Sequence, residues 1–530
     1  MGTDKVYSYH CFMLPFVWNY AGNRIQSSYK RFLKVFDSNP NWAERNLNRD
    51  DPLYNTDQFE LKDAYLHYAE YQYFAPYARD ALYGYDKTFV RIYEFLPNEM
   101  HNKGHYYITR NGRTYDLLIN AIRVRVYNTG IGIFVMECEN HGKDTDGNSQ
   151  ADLDSVKSIN DYGRRINLPF IPKKGAYFTS VCAEKLEVRL ENTSFISDFR
   201  EYASNINDKS DILGADKMTY IALFIKRILG FGSQYRFTSD RSSANRNSIY
   251  IYPAIDDRMY VSCFVDDPQE RTFSRLMHGK EKDEDAANSL YEFTFVDPAG
   301  GCSCQSDAMR DELLKLHVYT RWVKRDSIYT VSAQAFNYIA SGAPEYLIEY
   351  FLTQYNRMCV LALTQLASLQ LFSTRLKEIT AGKVMGKKKL AQKTLQLKSN
   401  FAKYKSQLGY DTISSQEQAI ELYNMLKASL GIEVAEKEFG DNISDLHDMA
   451  NASFSSNIGT GATAIAMLAA IQTINGFIGD GVTNLIGRIL KRTTDIELQR
   501  IGTYKSYATV GLIILVVGIL FLRGRRKWNE

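Results

Sequence analysis

From Ser506 to Leu522 the chain carries no charged residue, and Val510 to Leu522 is aliphatic or aromatic apart from two glycines. A helix over this run spans about 26 Å, slightly less than the roughly 30 Å hydrocarbon core of a bilayer. Tyr504 and Tyr507 before it and Trp528 after it are placed to sit at the two interfaces. Arg523, Arg525, Arg526 and Lys527 follow directly. A basic cluster just past a span favours the cytoplasmic side, so these residues and Trp528 are the expected membrane anchor. A buried core helix is the alternative, but no turn and no polar face interrupts the run.

A second uncharged stretch separates Asp448 from Asp480, and Ile458 to Ile478 is rich in Ala, Gly, Ile and Leu. At 100° per residue, Asn457, Thr460, Ala464, Leu468, Gln472 and Asn475 fall on one small, mildly polar stripe. In a membrane helix such a stripe either lines water or packs tightly against another helix. The two readings stand level. The linker from Gly479 to Lys505 carries Arg488, Lys491, Arg492, Arg500 and Lys505. With both chain ends inside, that linker lies outside, against the positive-inside rule. A single-span, tail-anchored chain therefore stands beside the two-span reading.

Upstream, Leu347, Phe351, Tyr355, Met358, Ala362, Leu366, Leu369, Phe372 and Leu376 recur at intervals of three and four, predicting a helix over Glu345–Ile379. No proline follows Pro344. Ala381 and Gly382 mark a break, Gly409 and Gly431 mark later ones, and Ser414 or Ser415 is available to cap a further helix. Heptads are not sustained, so a helical bundle is expected rather than a coiled coil. A lysine-rich run between Arg375 and Lys405 reads as a solvated face, with anionic lipid, RNA or phosphate ligands as the sharper alternative.

The first 340 residues have a different texture. Thr88–Phe95 and His105–Thr109 read as strands, and Asn111 with Gly112 is a strong hairpin turn. Ile122, Val124 and Val126 alternate with Arg123, Arg125 and Tyr127, and Asn128–Gly130 begins a second hairpin. Further strands are expected at Ser248–Tyr252, Met259–Val265, Tyr291–Val296 and Ser327–Val331. Helices are expected at Asp57–Tyr77, Asp152–Ile166, Asp216–Gly230 and Ser306–Leu316.

Motifs that carry chemistry are sparse. Gly382–Lys388 lacks the spacing and the Ser or Thr of a phosphate loop, and Gly130 with Gly132 lies in a hairpin rather than before a helix. Asp144, Asp146 and Asn148 resemble a calcium loop, but the turn glycine is misplaced and no glutamate closes it. Cys302 and Cys304 have no second pair at zinc spacing. The seven scattered cysteines suit a reducing compartment, and the N-terminus lacks a secretory signal. Lys+Arg 64 against Asp+Glu 61 is too balanced to favour direct nucleic-acid binding. No enzyme activity, no metal site and no certain cofactor is expected.

The order of elements over Glu345–Glu530, and the ending from Phe521 to Trp528, resembles the CorA family of divalent-cation channels. The resemblance implies a homo-oligomer, a pentamer in that family, whose first span lines a pore. Asn457, Thr460, Ala464, Leu468, Gln472 and Asn475 would then face the pore, and a divalent cation would be the transported ion. The family's Gly-Met-Asn tripeptide after the first span is absent: Asn475–Gly481 reads Asn-Gly-Phe-Ile-Gly-Asp-Gly. Some CorA-like proteins accompany type III CRISPR systems and are thought to respond to a nucleotide made from S-adenosylmethionine and ATP.

The expected fold is therefore an α+β cytoplasmic domain with a mixed sheet and helices, a long helical stalk and two C-terminal transmembrane helices. Residues 1–340 form the sensor-like domain, 341–457 the bundle or stalk, and 458–530 the membrane domain, with spans at about 458–478 and 506–523 and a basic tail. The expected place is the inner cell membrane with the bulk of the chain cytoplasmic. The expected function is an ion channel or transporter gated by the large domain. Two alternatives are a nucleotide-messenger-activated antiviral effector and a tail-anchored scaffold without a pore.

Overall fold

The computed structural model describes residues 6–20, 29–45, 69–84, 87–96, 103–167, 182–200, 221–239, 248–278, 283–381 and 387–449. It forms two compact units, residues 1–371 with 403–436, and residues 372–402 with 437–530.

The first unit is built on one sheet of fourteen described strands. They are β1 (Ser8–Tyr20), β2 (Trp42–Glu44), β3 (Val90–Phe95), β4 (Gly104–Arg110), β5 (Arg113–Tyr127), β6 (Ile131–Asn140), β7 (Lys185–Arg189), β8 (Ser194–Asp198), β9 (Arg236–Thr238), β10 (Ser248–Pro253), β11 (Tyr260–Asp266), β12 (Val318–Tyr319), β13 (Ser327–Val331) and β14 (Ala335–Ala340). The long strands β1, β6 and β5 lie side by side and antiparallel at the centre. Each outer member of this trio holds two neighbours in succession. β1 pairs with β11 through Ser8–Met13 and with β10 through Phe16–Tyr20. β5 pairs with β4 through Arg113–Ile119 and with β3 through Arg123–Tyr127. The sheet therefore forks on both sides. Pairing is antiparallel except between β11 and β14 and between β9 and β10.

Local chemistry explains the joints. Asn111 (φ 49°) and Gly112 (φ 76°) both adopt positive φ between β4 and β5, the geometry a two-residue hairpin needs to match strand twist. Pro15 sits in β1 between its two partner strands, so its missing N–H falls at the fork, and its carbonyl accepts from Ala254 N at 2.8 Å. At Gly132 a Cβ would lie 2.3 Å from the Phe16 ring, so only glycine lets that ring close over β6.

One face of the sheet is apolar. Phe12, Leu14, Phe16, Ile122, Val124, Val126, Phe134 and Met136 are all fully buried there. Helix Tyr29–Asp37 closes part of it, with Phe32 stacked on Trp18 at 4.1 Å and Phe36 on Tyr93 at 5.0 Å. Helix Leu153–Gly163 closes another part, capped by the Asp152 side chain, which accepts from Ser155 N at 2.7 Å. The other face is covered by a helical segment comprising Glu345–Tyr350, a π-helical turn at Phe351–Tyr355 and the helix Asn356–Ala381 as far as Leu371.

Within the second unit the described segments are 372–381, 387–402 and 437–449, all helical. Phe372, Phe401 and Phe439 meet there with ring centres 4.8–6.3 Å apart. Helix Asn356–Ala381 ends at the expected break, helix Lys387–Gln407 stops just before Gly409, and helix Glu417–Leu430 closes on left-handed Gly431.

Several expectations need correction. The two C-terminal transmembrane helices are not supported: among the described residues no helix is long and apolar enough to cross a membrane. The expected inner-membrane location loses its support with them. Helix Asn356–Ala381 has the length but not the composition, since Arg357, Thr364, Gln365, Ser368 and Gln370 interrupt it. Segments 458–478 and 506–523 lie outside the described residues. Tyr291–Val296 is not a strand but the end of helix Glu284–Phe295, which Asp283 caps by accepting from Ala286 N at 2.9 Å. Neither Ser414 nor Ser415 caps helix Glu417–Leu430; Ser414 accepts from Gln416 N and donates to the Tyr73 carbonyl, tying the loop to the body.

Candidate functional site

The residues singled out in the sequence separate into two groups. Asn457, Thr460, Ala464, Leu468, Gln472 and Asn475, and the anchor residues Arg523, Arg525, Arg526, Lys527 and Trp528, lie outside the described residues. The others are placed. The Asp144 carboxylate accepts from the backbone of Asp146 and Asn148 and from Arg113, so the loop uses it to hold its own shape. Burial would raise its pKa, but the backbone and side chain of Asn148 hold it below the usual range. Cys302 and Cys304 are free thiols, and His105 pairs with Asp116 at 2.7 Å.

The strongest constellation lies elsewhere, on the polar face of the sheet. Alternation along β5 puts Val124 and Val126 on the apolar face and therefore Arg123 and Arg125 on the opposite one. An alternating strand usually gives its polar face to water. Here the segment from Glu345 covers that face, and the arginines are enclosed. Glu94 on β3 lies directly across from Arg123. It accepts from Arg123 Nε and Arg45 Nε, both at 2.7 Å. Arg123 also donates to Glu137 on β6 at 2.7 Å. Arg357, on the covering helix, donates to Glu70 at 3.1 Å and stands 4.0 Å from Glu137. Tyr83 donates to Glu70 at 2.9 Å.

Arg125 is the exception. It is 3 % exposed, and its guanidinium donates to the Leu82 carbonyl rather than to a carboxylate. Burial, then Arg357 and Arg123, push its pKa below the ordinary arginine value. Its neighbours behave differently. Burial disfavours charged Arg123 and Arg357 too, but Glu137 and Glu94 for the first, and Glu70 and Glu137 for the second, raise both. Burial would raise Glu94, yet Arg123 and Arg45 hold it below the usual carboxylate range. Among the described residues the cluster thus sets Arg45, Arg123, Arg125 and Arg357 against Glu70, Glu94 and Glu137, leaving one positive charge uncompensated.

A cavity of about 40 Å³ adjoins this cluster, room for roughly one water molecule. Tyr9, Cys11, Asn120 and Glu137 line it from the sheet, and Phe351 and Leu352 from the π-turn. One step along the helix, both side-chain polar atoms of Asn356 are buried without a hydrogen-bond partner among the described residues. Such an orphan costs about 1–3 kcal/mol per group. A π-turn, a cavity and an unsatisfied amide within six residues mark the least settled part of the helix–sheet interface.

Chemically, the cluster suits an anion: three arginines converge, one has no carboxylate partner among the described residues, and guanidinium groups match phosphate and carboxylate in paired hydrogen bonds. The sequence carried a signal of this, an Arg-x-Arg pair in an alternating strand, but nothing in it told which face would be covered. No family model, no curated protein and no solved structure matches this chain.

Proposed function

We propose that the chain is a ligand-responsive regulatory protein whose sheet body receives a small phosphate-bearing molecule of the nucleotide class. The observation that carries this reading is Arg125, a buried guanidinium beside two others, with no carboxylate partner among the described residues. A phosphate supplies a negative charge beside Arg125 and accepts from guanidinium groups. The ion-conducting expectation rests on segments outside the described residues, whereas the nucleotide-responsive alternative draws on the described sheet body.

The present cavity is too small for a nucleotide, because ligand pockets of that class run to roughly 300 Å³ or more. Binding therefore requires the segment from Glu345 to move off the sheet. That requirement supplies the mechanism. A ligand that fits only the opened state shifts the population toward it, and the displaced helix is the chain that continues into the second unit at Phe372. The π-turn and the unsatisfied Asn356 lower the cost of leaving the closed state.

Isothermal titration of the full chain with ATP, and with an S-adenosylmethionine–AMP conjugate, tests the reading. Micromolar binding by the wild type, lost in Arg125→Met, is expected. No binding to either the wild type or the variant, with Arg125→Met as stable as the wild type or more so, would overturn it and leave the cluster as a packing device, since apolar replacement of buried charge is often neutral or stabilising.

A further inference from the structure

Two of the seven cysteines stand apart from the rest. Cys11, Cys138, Cys182, Cys263 and Cys359 are 2 % exposed or less, whereas Cys302 and Cys304 are partly exposed among the described residues. The chain builds their loop in steps. Helix Glu284–Phe295 ends on Val296 in the left-handed region (φ 57°), and Asp297 N donates to the Glu292 carbonyl at 3.0 Å. A turn follows, closed by Gly301 N donating to the Pro298 carbonyl at 2.9 Å, with Gly300 (φ 68°) at its third position. The Asp297 carboxylate then accepts from Ser303 N at 2.8 Å, which ties the residue between the two cysteines to the end of the helix. The Cys302 thiol donates to the Cys304 carbonyl at 3.5 Å, and Gln305 Nε2 donates to the Cys302 carbonyl at 2.9 Å, so the segment curls. The Cys304 thiol rests on the carbonyl of Ser306, the residue that caps helix Asp307–His317.

We propose that Cys302 and Cys304 form a redox-active dithiol that exchanges with small disulfides of the glutathione class. Two residues of extended chain reach about 7 Å between Cα atoms, and a bend brings that inside the window of roughly 4.4–6.8 Å that a disulfide needs. Burial raises the Tyr291 pKa, Ser303 opposes the shift, and Asp297, Cys304 and Cys302 add to it, so both sulfurs lie near one hydroxyl. Burial also raises Cys302; the Cys304 backbone opposes that, and Asp297 and Glu292 add to it. Cys304 is therefore the first nucleophile. Its thiolate attacks one sulfur of the small disulfide, forming a mixed disulfide and releasing one thiolate. Cys302 then attacks Cys304 Sγ, closing the bond between the two cysteines and releasing the second thiolate. Two electrons pass from the protein thiols to the small disulfide, and the two thiol protons end on the two released thiols. A ring over a single intervening residue constrains the unfolded chain little, so the bond stabilises little and is readily reduced. That is the behaviour of an exchanging or sensing disulfide rather than a structural one. No third metal-ligating side chain joins the pair among the described residues, which sets it apart from the three- and four-ligand sites of zinc.

The full chain, equilibrated with mixtures of reduced and oxidised glutathione, is alkylated with a maleimide, digested and read by peptide mass spectrometry. As the oxidised share rises, the peptide carrying Cys302 and Cys304 is expected to lose both alkylation sites together and to lose the mass of two hydrogens. Returning the protein to reduced glutathione is expected to restore both thiols. Cys302→Ser is expected to stop at a glutathione adduct on Cys304, and Cys304→Ser to lose ring closure altogether. Circular dichroism first confirms that both variants retain wild-type helix content. Two thiols that stay alkylatable at every ratio overturn the proposal, and protection of that reduced pair by silver(I) would assign it to a soft metal ion instead. Glutathione adducts on both cysteines of the wild type, without ring closure, overturn it as well.

Discussion

On one face of the sheet Phe12, Phe16, Val124, Phe134 and Met136 pack without exposed surface, while on the other the same strands carry Arg123, Arg125, Glu94 and Glu137 beneath a helix with a π-turn. The apolar face also contains polar groups: Trp18 Nε1 has no hydrogen-bond partner among the described residues, but the histidine there is matched. His10 donates from Nδ1 to Asn160 Oδ1 at 2.7 Å and accepts from Ser8, which in turn accepts from Asn140. The covered polar face leaves Arg125 without a carboxylate and Asn356 without a partner among the described residues. Burial is similar on the two sides; the covered polar face differs in enclosing one contiguous cluster of arginines and carboxylates. The apolar face fixes the fold, and the polar face holds a helix at a cost that the proposed ligand would offset.

Phe134→Ala tests the difference most severely, because a large side chain is removed from a fully packed layer. It is expected to destabilise the first unit by about 3–5 kcal/mol in chemical denaturation. Glu137→Ala attacks the other face by removing one of the two carboxylates of Arg123 and the more distant of the two near Arg357, with Glu94 and Glu70 kept. A loss of about 3 kcal/mol is expected, from uncompensated charge rather than from a cavity. If Glu137→Ala costs less than 1 kcal/mol, the cluster is already hydrated and the contrast between faces fails.

Acid titration sharpens the comparison through two buried groups. Burial lowers the His10 pKa to about 4, with Asn160 opposing it, so the folded protein binds fewer protons than the unfolded chain below the ordinary histidine value of about 6.5. Stability on that account is full above pH 6.5 and falls toward pH 4, by about 3 kcal/mol. Burial pushes Glu270 the other way, to about 7; Ser274 opposes the shift and Asp326 adds to it. Its contribution is full below its unfolded value and is lost as pH rises toward 7. His10→Gln should therefore remove a loss at acid pH, and Glu270→Gln a loss near neutrality. Urea midpoints measured from pH 4 to 8 check both slopes; the same slope in both variants would contradict the assignment.

The smallest effect is a gain. Asn356→Leu removes two buried orphans and is expected to raise stability by about 1–2 kcal/mol in urea unfolding. It should also slow opening of the helix. A destabilising result would mean that the amide has a partner in solution.

Much of the fold was legible from local chemistry. Asn111 with Gly112 specified a hairpin because two successive positive φ angles are needed there, and the helices expected from Asp152 and Ser306 do start there, each capped by that side chain. Gly431 ended a helix as expected. β1 was hidden because Pro15 argues against a central strand, and only the fork in its pairing makes the proline tolerable. Tyr291–Val296 has strand-forming residues, yet the Asp283 cap and packing of Leu290 and Phe293 override that preference. The arginine pair of β5 was visible as alternation, but its burial depends on a helix more than 200 residues later in the chain. No spacing rule reaches across that distance.

Hydrogen exchange over residues 345–371, with and without ATP, tests the central claim most directly. The account predicts faster exchange in this segment on binding, little change in β5 and β6, and no response in Arg125→Met. Bound ATP with exchange across 345–371 unchanged or slowed would contradict it, because the ligand would then sit elsewhere or without moving the helix.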